Sequence, residues 1–239
     1  MRTVRQAGLL PVHPCARRDG GGGLRRGRAR LSRPRQWRRN FGLHTLAFGV
    51  ADADAARADA ARHGLPVGPV LEWARRVEEE DIAAEARFAF FVAEYDPKDD
   101  SFLCWVRHLT PAAIRSPRLT RHANGARSLA AALIATESDP APLIARYVAC
   151  GGVALGHTVR FAGGEVGILT RADLPDALAQ ARWPAESWFA ALRIGLDDPS
   201  RFADRARQAG LPVAPWHDGL VVDLMAPLGC AIVAVAAGP

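Results

Sequence analysis

One segment of this chain occurs twice without a gap. Gly42 to Pro69 aligns on Trp188 to Pro215 with nine identical positions. Leu46, Gly49, Asp52, Ala60, Gly64, Leu65, Pro66, Val67 and Pro69 match Leu192, Gly195, Asp198, Ala206, Gly210, Leu211, Pro212, Val213 and Pro215. Repetition on this scale constrains the fold strongly, because each copy must form the same supersecondary unit and bury its apolar face against a neighbour. A third copy keeps the twelve-residue step from Asp139-Pro140 to Gly151. A fourth survives as a tail, in which Arg5-Gln6-Ala7-Gly8-Leu9 repeats Arg207-Gln208-Ala209-Gly210-Leu211.

The chemistry of the unit follows from its punctuation. An apolar strand ends at an aspartate able to accept from the orphan N–H groups of a helix start. Pro140 and Pro199 stand at the first helical position, where the fixed φ of proline is already correct. Three turns later a glycine can take the left-handed conformation that ends the helix. Further strands are expected at Val70 to Val77, Arg87 to Tyr95 and Ser101 to His108, then at Val159 to Ala162 and Glu165 to Thr170. Leu220 to Leu224 and Cys230 to Val235 complete the last copy, and Asp173 to Ala181 reads as a connecting helix. Strand, helix and several strands joined by short turns predict an α+β fold of repeated βαβββ units, with mixed or antiparallel sheets and helices on one face.

Composition excludes several classes. The longest apolar run, Leu220 to Ala237, is broken by Asp223 and Pro227, so no membrane span is expected. Cys15, Cys104, Cys150 and Cys230 lie far apart with no CxxC, which suits a reducing cytoplasm and argues against a zinc knuckle or disulfide framework. Residues 1–40 hold twelve arginines against one aspartate, a net of +11, which leaves −5 for the rest of a chain whose formal charge is +6. The globular part is thus mildly acidic, and nucleic acid is not an expected partner outside the Arg/Gly-rich segment 16–40. That segment could form an arm that grips RNA or other polyanions.

Chemistry-bearing side chains gather in the stretch from Phe102 to Ala126: Arg107, His108, His122 and Asn124. It opens as a strand with Leu103, Trp105 and Arg107 on one side and Phe102, Cys104, Val106 and His108 on the other. Thr110-Pro111 breaks the ladder and Asn124-Gly125 supplies a turn before the next apolar run.

The repeat, together with Gly42-Leu43-His44-Thr45-Leu46, His108-Leu109-Thr110-Pro111 and His122-Ala123-Asn124-Gly125-Ala126, resembles the glyoxalase-like branch of the vicinal oxygen chelate superfamily. The resemblance covers roughly residues 41–237 and extends to 3–14. It implies units paired edge to edge, with sheets curling around a cup for a small molecule. It also implies a divalent metal held by His or Gln from first strands and Glu from last strands. His44, eight residues before Asp52, occupies such a position, but the aligned positions before Asp139 and Asp198 are Ala131 and Ala190. A longer loop before Asp139 would bring Ser128 or Arg127 there instead, and neither is a good ligand. No metal residues are therefore assigned and no cofactor is committed, a divalent metal ion being the one the resemblance allows.

The candidate site residues are His108 and His44 as catalytic groups, and Arg107, His122 and Asn124 as substrate-binding groups. His108 would act as a general acid–base and Arg107 would hold an anionic group. Each has a plainer reading: His44 as a hydrogen-bonded core residue, Arg107 paired with a surface carboxylate, and His108 satisfying connector backbone. His122 would pin the linker and Asn124 would serve the turn. His63 and His217 read as solvated helix-end and turn residues, and His157 precedes a strand.

The expected order is a remnant of an incomplete first unit at 1–15 and the Arg/Gly-rich segment at 16–40. A second unit at 41–110 and a connector at 111–126 follow. A third unit at 127–172, a linking helix at 173–187 and a fourth unit at 188–237 complete it. The start of the first unit is expected to be truncated or misread. The functional expectation is a cytoplasmic glyoxalase-like protein, a lyase, isomerase or dioxygenase if active, with a homodimer left open. The alternatives are a non-catalytic drug-sequestering binder of the bleomycin-resistance kind and a degenerate paralogue without activity.

Overall fold

Capping residues set each unit. The Asp52 carboxylate accepts the Ala55 N–H at 3.0 Å and starts helix α1 (Ala53–Arg62). Asp198 accepts the Arg201 N–H at 2.8 Å and starts α4 (Pro199–Gln208). In α2 (Ala141–Ala149) the aspartate sits one residue further out, with Asp139 accepting the Ala141 N–H at 3.0 Å and Pro140 as the cap. All three helices end at a left-handed glycine: Gly64 at φ +83°, Gly151 at +99° and Gly210 at +75°. Beyond each of these glycines the next N–H reaches back into the helix, Leu65 to Ala60, Gly152 to Tyr147 and Leu211 to Ala206, which satisfies otherwise orphaned carbonyls.

The computed structural model describes residues 42–79, 82–93, 102–115, 120–183 and 185–238, with residues 9–10, 78–79 and 82–84 by backbone alone. The Arg/Gly-rich segment 16–40 and the first-unit remnant, apart from Leu9 and Leu10, lie outside these residues, as do Cys15 and Pro117. Strand β1 is Leu9–Leu10. The second unit contains β2 (Thr45–Gly49), α1, β3 (Leu71–Glu79), β4 (Ile82–Val92) and β5 (Phe102–His108). The third contains β6 (Ala126–Thr136), α2, β7 (Val153–Leu155), β8 (Thr158–Phe161) and β9 (Gly164–Thr170). A one-turn helix α3 (Asp176–Ala179) follows. The fourth unit contains β10 (Ser187–Leu196), α4, β11 (Val213–Trp216), β12 (Gly219–Leu224), the short α5 (Met225–Leu228) and β13 (Cys230–Ala236).

The three units share one topology. The helix crossover brings the last strand parallel to the first, as in β2–β5, β6–β9 and β10–β13, and the two middle strands continue antiparallel outward. β6 and β10 then pair antiparallel, which fuses the third and fourth units into an eight-stranded sheet. Register shifts at Phe189/Ala191, Arg193/Ile194 and Gly195/Leu196 bend that seam. The five-stranded sheet of the second unit carries Leu9–Leu10 antiparallel on the outer edge of β2, opposite Phe48 and Ala47.

Alternation along β6 separates two cores. Ala132 and Ile134 face the helix side, where Tyr147, Val159, Phe161 and Ile168 meet Leu46, Phe48, Phe91 and Trp105 of the other sheet. Phe48 lies 5.0 Å from Phe161 and 5.3 Å from Trp105, while Phe91 stacks on Trp105 at 4.7 Å with planes 6° apart. These offset ring contacts each add about 0.5–1.5 kcal/mol beyond burial. Ala131, Leu133 and Ala135 face the other way, onto the concave side, with Trp188, Ala190 and Val233. There the segment expected as a long linking helix forms a 3-10 turn (Arg171–Asp173) and the single turn α3, because Leu174 and Leu178 turn inward to pack on that floor. Arg171 fixes the strap by ion pairing with Glu137 and standing 4.0 Å over the Trp183 ring. No helix among the described residues is long and apolar enough to cross a membrane.

Cys104 and Cys230 are free thiols, and both are buried, as is Cys150. Burial pushes the Cys104 thiol up to about 12 and the Cys230 thiol up to about 11. Removing either helix cap should cost about 1 kcal/mol. Urea unfolding of Asp52→Ala and Asp198→Ala should show this cost separately, and the double variant should show their sum, since the two helices are independent. The thiols give a second expectation. The unfolded chain ionises them near the ordinary thiol range while the folded chain keeps them protonated, so they contribute stability that is complete below that range and is lost as pH rises through it. Unfolding free energy measured between pH 8 and 11 should fall, and replacing Cys104 and Cys230 by Ala should flatten the fall.

Candidate functional site

Two hairpin tips build the site. Gly156-His157 joins β7 to β8, and His217-Asp218 joins β11 to β12, the same turn in successive units. Two-residue hairpin loops need positive φ to match the twist of their strands. Gly156 supplies it at +61°, and His217 adopts it at +52°, the one non-glycine with positive φ among the described residues. A left-handed conformation is uncommon outside glycine, and such outliers gather at functional sites. Trp216 packs on the His217 ring at 4.6 Å and donates its indole N–H to the Asp173 carbonyl at 3.3 Å.

The tips overhang the concave face of the eight-stranded sheet and frame a cleft of about 160 Å³. Its floor is apolar: Leu133, Gly167, Leu169 and Val233. Its polar wall comes from His157, Thr158, Arg193, His217 and Asp218, with Trp216 beside them. Arg193 forms an ion pair with Asp218, whose side chain is 65% exposed against 34% for the arginine. A pair so open to solvent contributes at most about 1 kcal/mol. Asp173 lies within the field of both His157 and His217. Its carboxyl is held below the usual carboxylate range first by the Thr170 hydroxyl, then by the Thr170 N–H, with both histidines adding. The cleft can therefore offer a guanidinium, two imidazoles and an aromatic wall to one small ligand.

The residues singled out from sequence are distributed differently. His108 ends β5 on the face away from Leu103 and Trp105, meeting Phe88 edge-on at 5.2 Å. Both its ring nitrogens are buried and without a hydrogen-bond partner among the described residues. Burial, and then the Arg115 charge, hold its pKa below the ordinary histidine value, so it is a neutral imidazole at neutral pH. Arg107 lies on the opposite face and is exposed. Thr110 locks the same run to β4, accepting the Arg87 N–H at 2.8 Å and donating to the Glu85 carbonyl at 3.0 Å. His44 is half-buried just before β2, and its carbonyl accepts the Phe102 N–H at 2.6 Å.

His122 and Asn124 are exposed in the turn before β6. Asn124 accepts the Ala126 N–H at 3.1 Å and the His122 carbonyl accepts the Gly125 N–H at 2.9 Å. That turn is docked on the fourth unit, with the Asp197 N–H bonded to the Gly125 carbonyl and Arg205 to the Ala123 carbonyl. No hydrogen bond, ion pair or ring contact among the described residues joins His108 or Arg107 to His122 or Asn124.

Sequence reasoning set aside His157 and His217 and did not single out Arg193 or Asp218. A signal was present, since His157 follows Asp139 by 18 residues and His217 follows Asp198 by 19. The repeat places both in one structural turn, and the β6–β10 seam turns that equivalence into proximity. The metal implied by the resemblance does not fit. Ala131 and Ala190 are buried in the apolar floor at the aligned ligand positions, Arg127 pairs with Asp197, and Ser128 lies beside Gly195. Among the described residues no three His, Cys, Asp or Glu side chains cluster closely enough to hold a metal ion.

No curated protein matches the chain by sequence. Among solved structures it is similar to a hypothetical protein from Staphylococcus aureus, at 7% identity and a TM-score of 0.50, over 80% of this chain and 64% of that one. It is also similar to a xylose isomerase-like TIM barrel/4-hydroxyphenylpyruvate dioxygenase fusion protein, at 14% identity and a TM-score of 0.49, over 83% of this chain and 38% of that one. The chain thus spans less than two thirds of either structure, and the first likeness is one of fold. The family model for the glyoxalase-like domain matches residues 9–150, more than half of the chain. With the βαβββ topology repeated in its sheets, the chain belongs to the glyoxalase-like domain family of the vicinal oxygen chelate superfamily.

Proposed function

We propose that this protein binds a small organic molecule in the cup between its third and fourth units. The observation that carries the reading is the convergence of His157, Arg193, Trp216 and His217, from three separate segments, over a floor of Leu133, Gly167, Leu169 and Val233. Binding sites for small molecules combine a mostly apolar lining with a few polar groups that fix orientation. The cleft, at about 160 Å³, is below the usual range of roughly 300–1,000 Å³ for drug-sized ligands, so the ligand is small. The free, buried thiols of Cys104 and Cys230 suit a cytoplasmic protein.

Two outcomes of binding are distinguishable. Sequestration without turnover would make the protein a binder of the drug-resistance kind. Catalysis of the lyase or isomerase type is favoured by one feature, the convergence of the His157 and His217 imidazoles on one cleft, because an imidazole can both donate and accept a proton. Neither route uses a metal held by the alanine positions.

A Cβ added at Gly167 would stand 2.8 Å from the Leu133 Cδ2, the movable end of a side chain on the cleft floor. Gly167→Val should therefore fill the cleft while the sheet still unfolds cooperatively. Compounds found by ligand-observed NMR to bind the parent protein should bind this variant about tenfold more weakly or worse, a loss of about 1.4 kcal/mol. Unchanged binding by a folded variant would place the ligand elsewhere. For catalysis, His217→Asn keeps a residue tolerant of the left-handed turn. It should abolish turnover of a bound compound while leaving its affinity within a few-fold; equal turnover would remove His217 from the catalytic role, and no turnover by the parent protein would leave sequestration as the function.

A further inference from the structure

Arg193 stands on β10 directly between Ala131 of β6 and Val233 of β13 on the concave face. An arginine set into an apolar floor needs a counter-charge, and among the described residues it pairs with Asp218. That aspartate belongs to a hairpin tip and is mostly exposed, so the pair is easily exchanged. A guanidinium presents N–H donors in a fork that matches the two oxygens of a carboxylate. Asp218 therefore sits where a ligand carboxylate would sit. Trp216, Leu133 and Leu169 offer an apolar wall beside it, and His157 and His217 stand at the mouth as further N–H donors. Asp173 and Asp218 supply two negative charges near the same opening, which penalises any ligand group of higher charge.

We propose that the ligand of this cup is a small monocarboxylate, whose carboxylate displaces Asp218 from Arg193 while its apolar body lies against Trp216, Leu133 and Leu169. This rests on the cup being the binding site and adds the chemical class of what it holds. A phosphate group carries the same planar-donor match to arginine, but its near-double charge at neutral pH meets both aspartates.

Calorimetric titration of the full chain with isobutyrate and benzoate, against isobutyramide, benzamide and inorganic phosphate, tests this. The carboxylates should bind at least about tenfold more tightly than their amides. Arg193→Gln should erase that difference. Asp218→Asn should raise carboxylate affinity several-fold, because the internal competitor is gone. A purely structural ion pair would give no gain in that variant. Carboxylates binding no better than amides, weaker carboxylate binding by Asp218→Asn, or tighter binding of phosphate would each overturn the proposal. If amides bind as well as acids and both are lost in Gly167→Val, the ligand class is wrong while the cup stands. If none of these probes binds and broader small-molecule sets also fail, both readings fall together.

Discussion

The antiparallel pairing of β6 with β10 is the interaction on which the rest of the molecule depends. It sets Ala131 opposite Arg193 and Leu133 opposite Ala191, and so decides which side chains share the concave face. Strand faces alternate with a period of two, so a slip of one residue would exchange the floor of the cup with the helix-side core. Arg193 would then enter the layer that holds Ile134, Phe161 and Phe189, where an unpaired charge costs several kcal/mol. The bulges along the seam increase the local twist and bend the sheet.

The strap between the third and fourth units explains the size of the cavity. Leu174 and Leu178 are buried in the concave face beside Trp188, and the Trp183 ring lies 6.2 Å from that of Trp188. Trp183 donates to the Leu178 carbonyl at 3.1 Å and Arg171 donates to the Ala179 carbonyl, so the strap is tied to itself as well as to the sheet. The chain fills one end of its own cup with apolar side chains and leaves the other end open between the hairpins. The concave face is thus an ordinary core at one end and an open cleft at the other.

Much of this architecture was legible in sequence because it rests on local rules. Asp52, Asp198, Gly64, Gly151 and Gly210 do at the helix ends what their residue types predict, and in β5 Leu103 and Trp105 share one core from which Cys104 is absent. The candidate cleft was less legible because it is a product of the seam. His157 and His217 are polar turn residues in any local reading, and only the pairing of two units turns them toward one cleft. Composition drew attention instead to the connector, where Asn124 and Thr110 spend their polar groups on backbone. The linking helix was overextended because 173–181 has helical composition, whereas the pull of Leu174 and Leu178 into the concave face leaves one turn. Ala131 and Ala190 were readable at once, since a methyl group has no lone pair to give.

His217 at φ +52° has a consequence for how such a protein changes over time. Its position accepts few residue types without strain, mainly glycine, asparagine, aspartate and histidine. Its neighbour Asp218 carries no such restriction. Mutation can therefore explore new preferences at one site of the tip while the other holds the loop in shape, and the folded scaffold beneath is untouched by either experiment of selection.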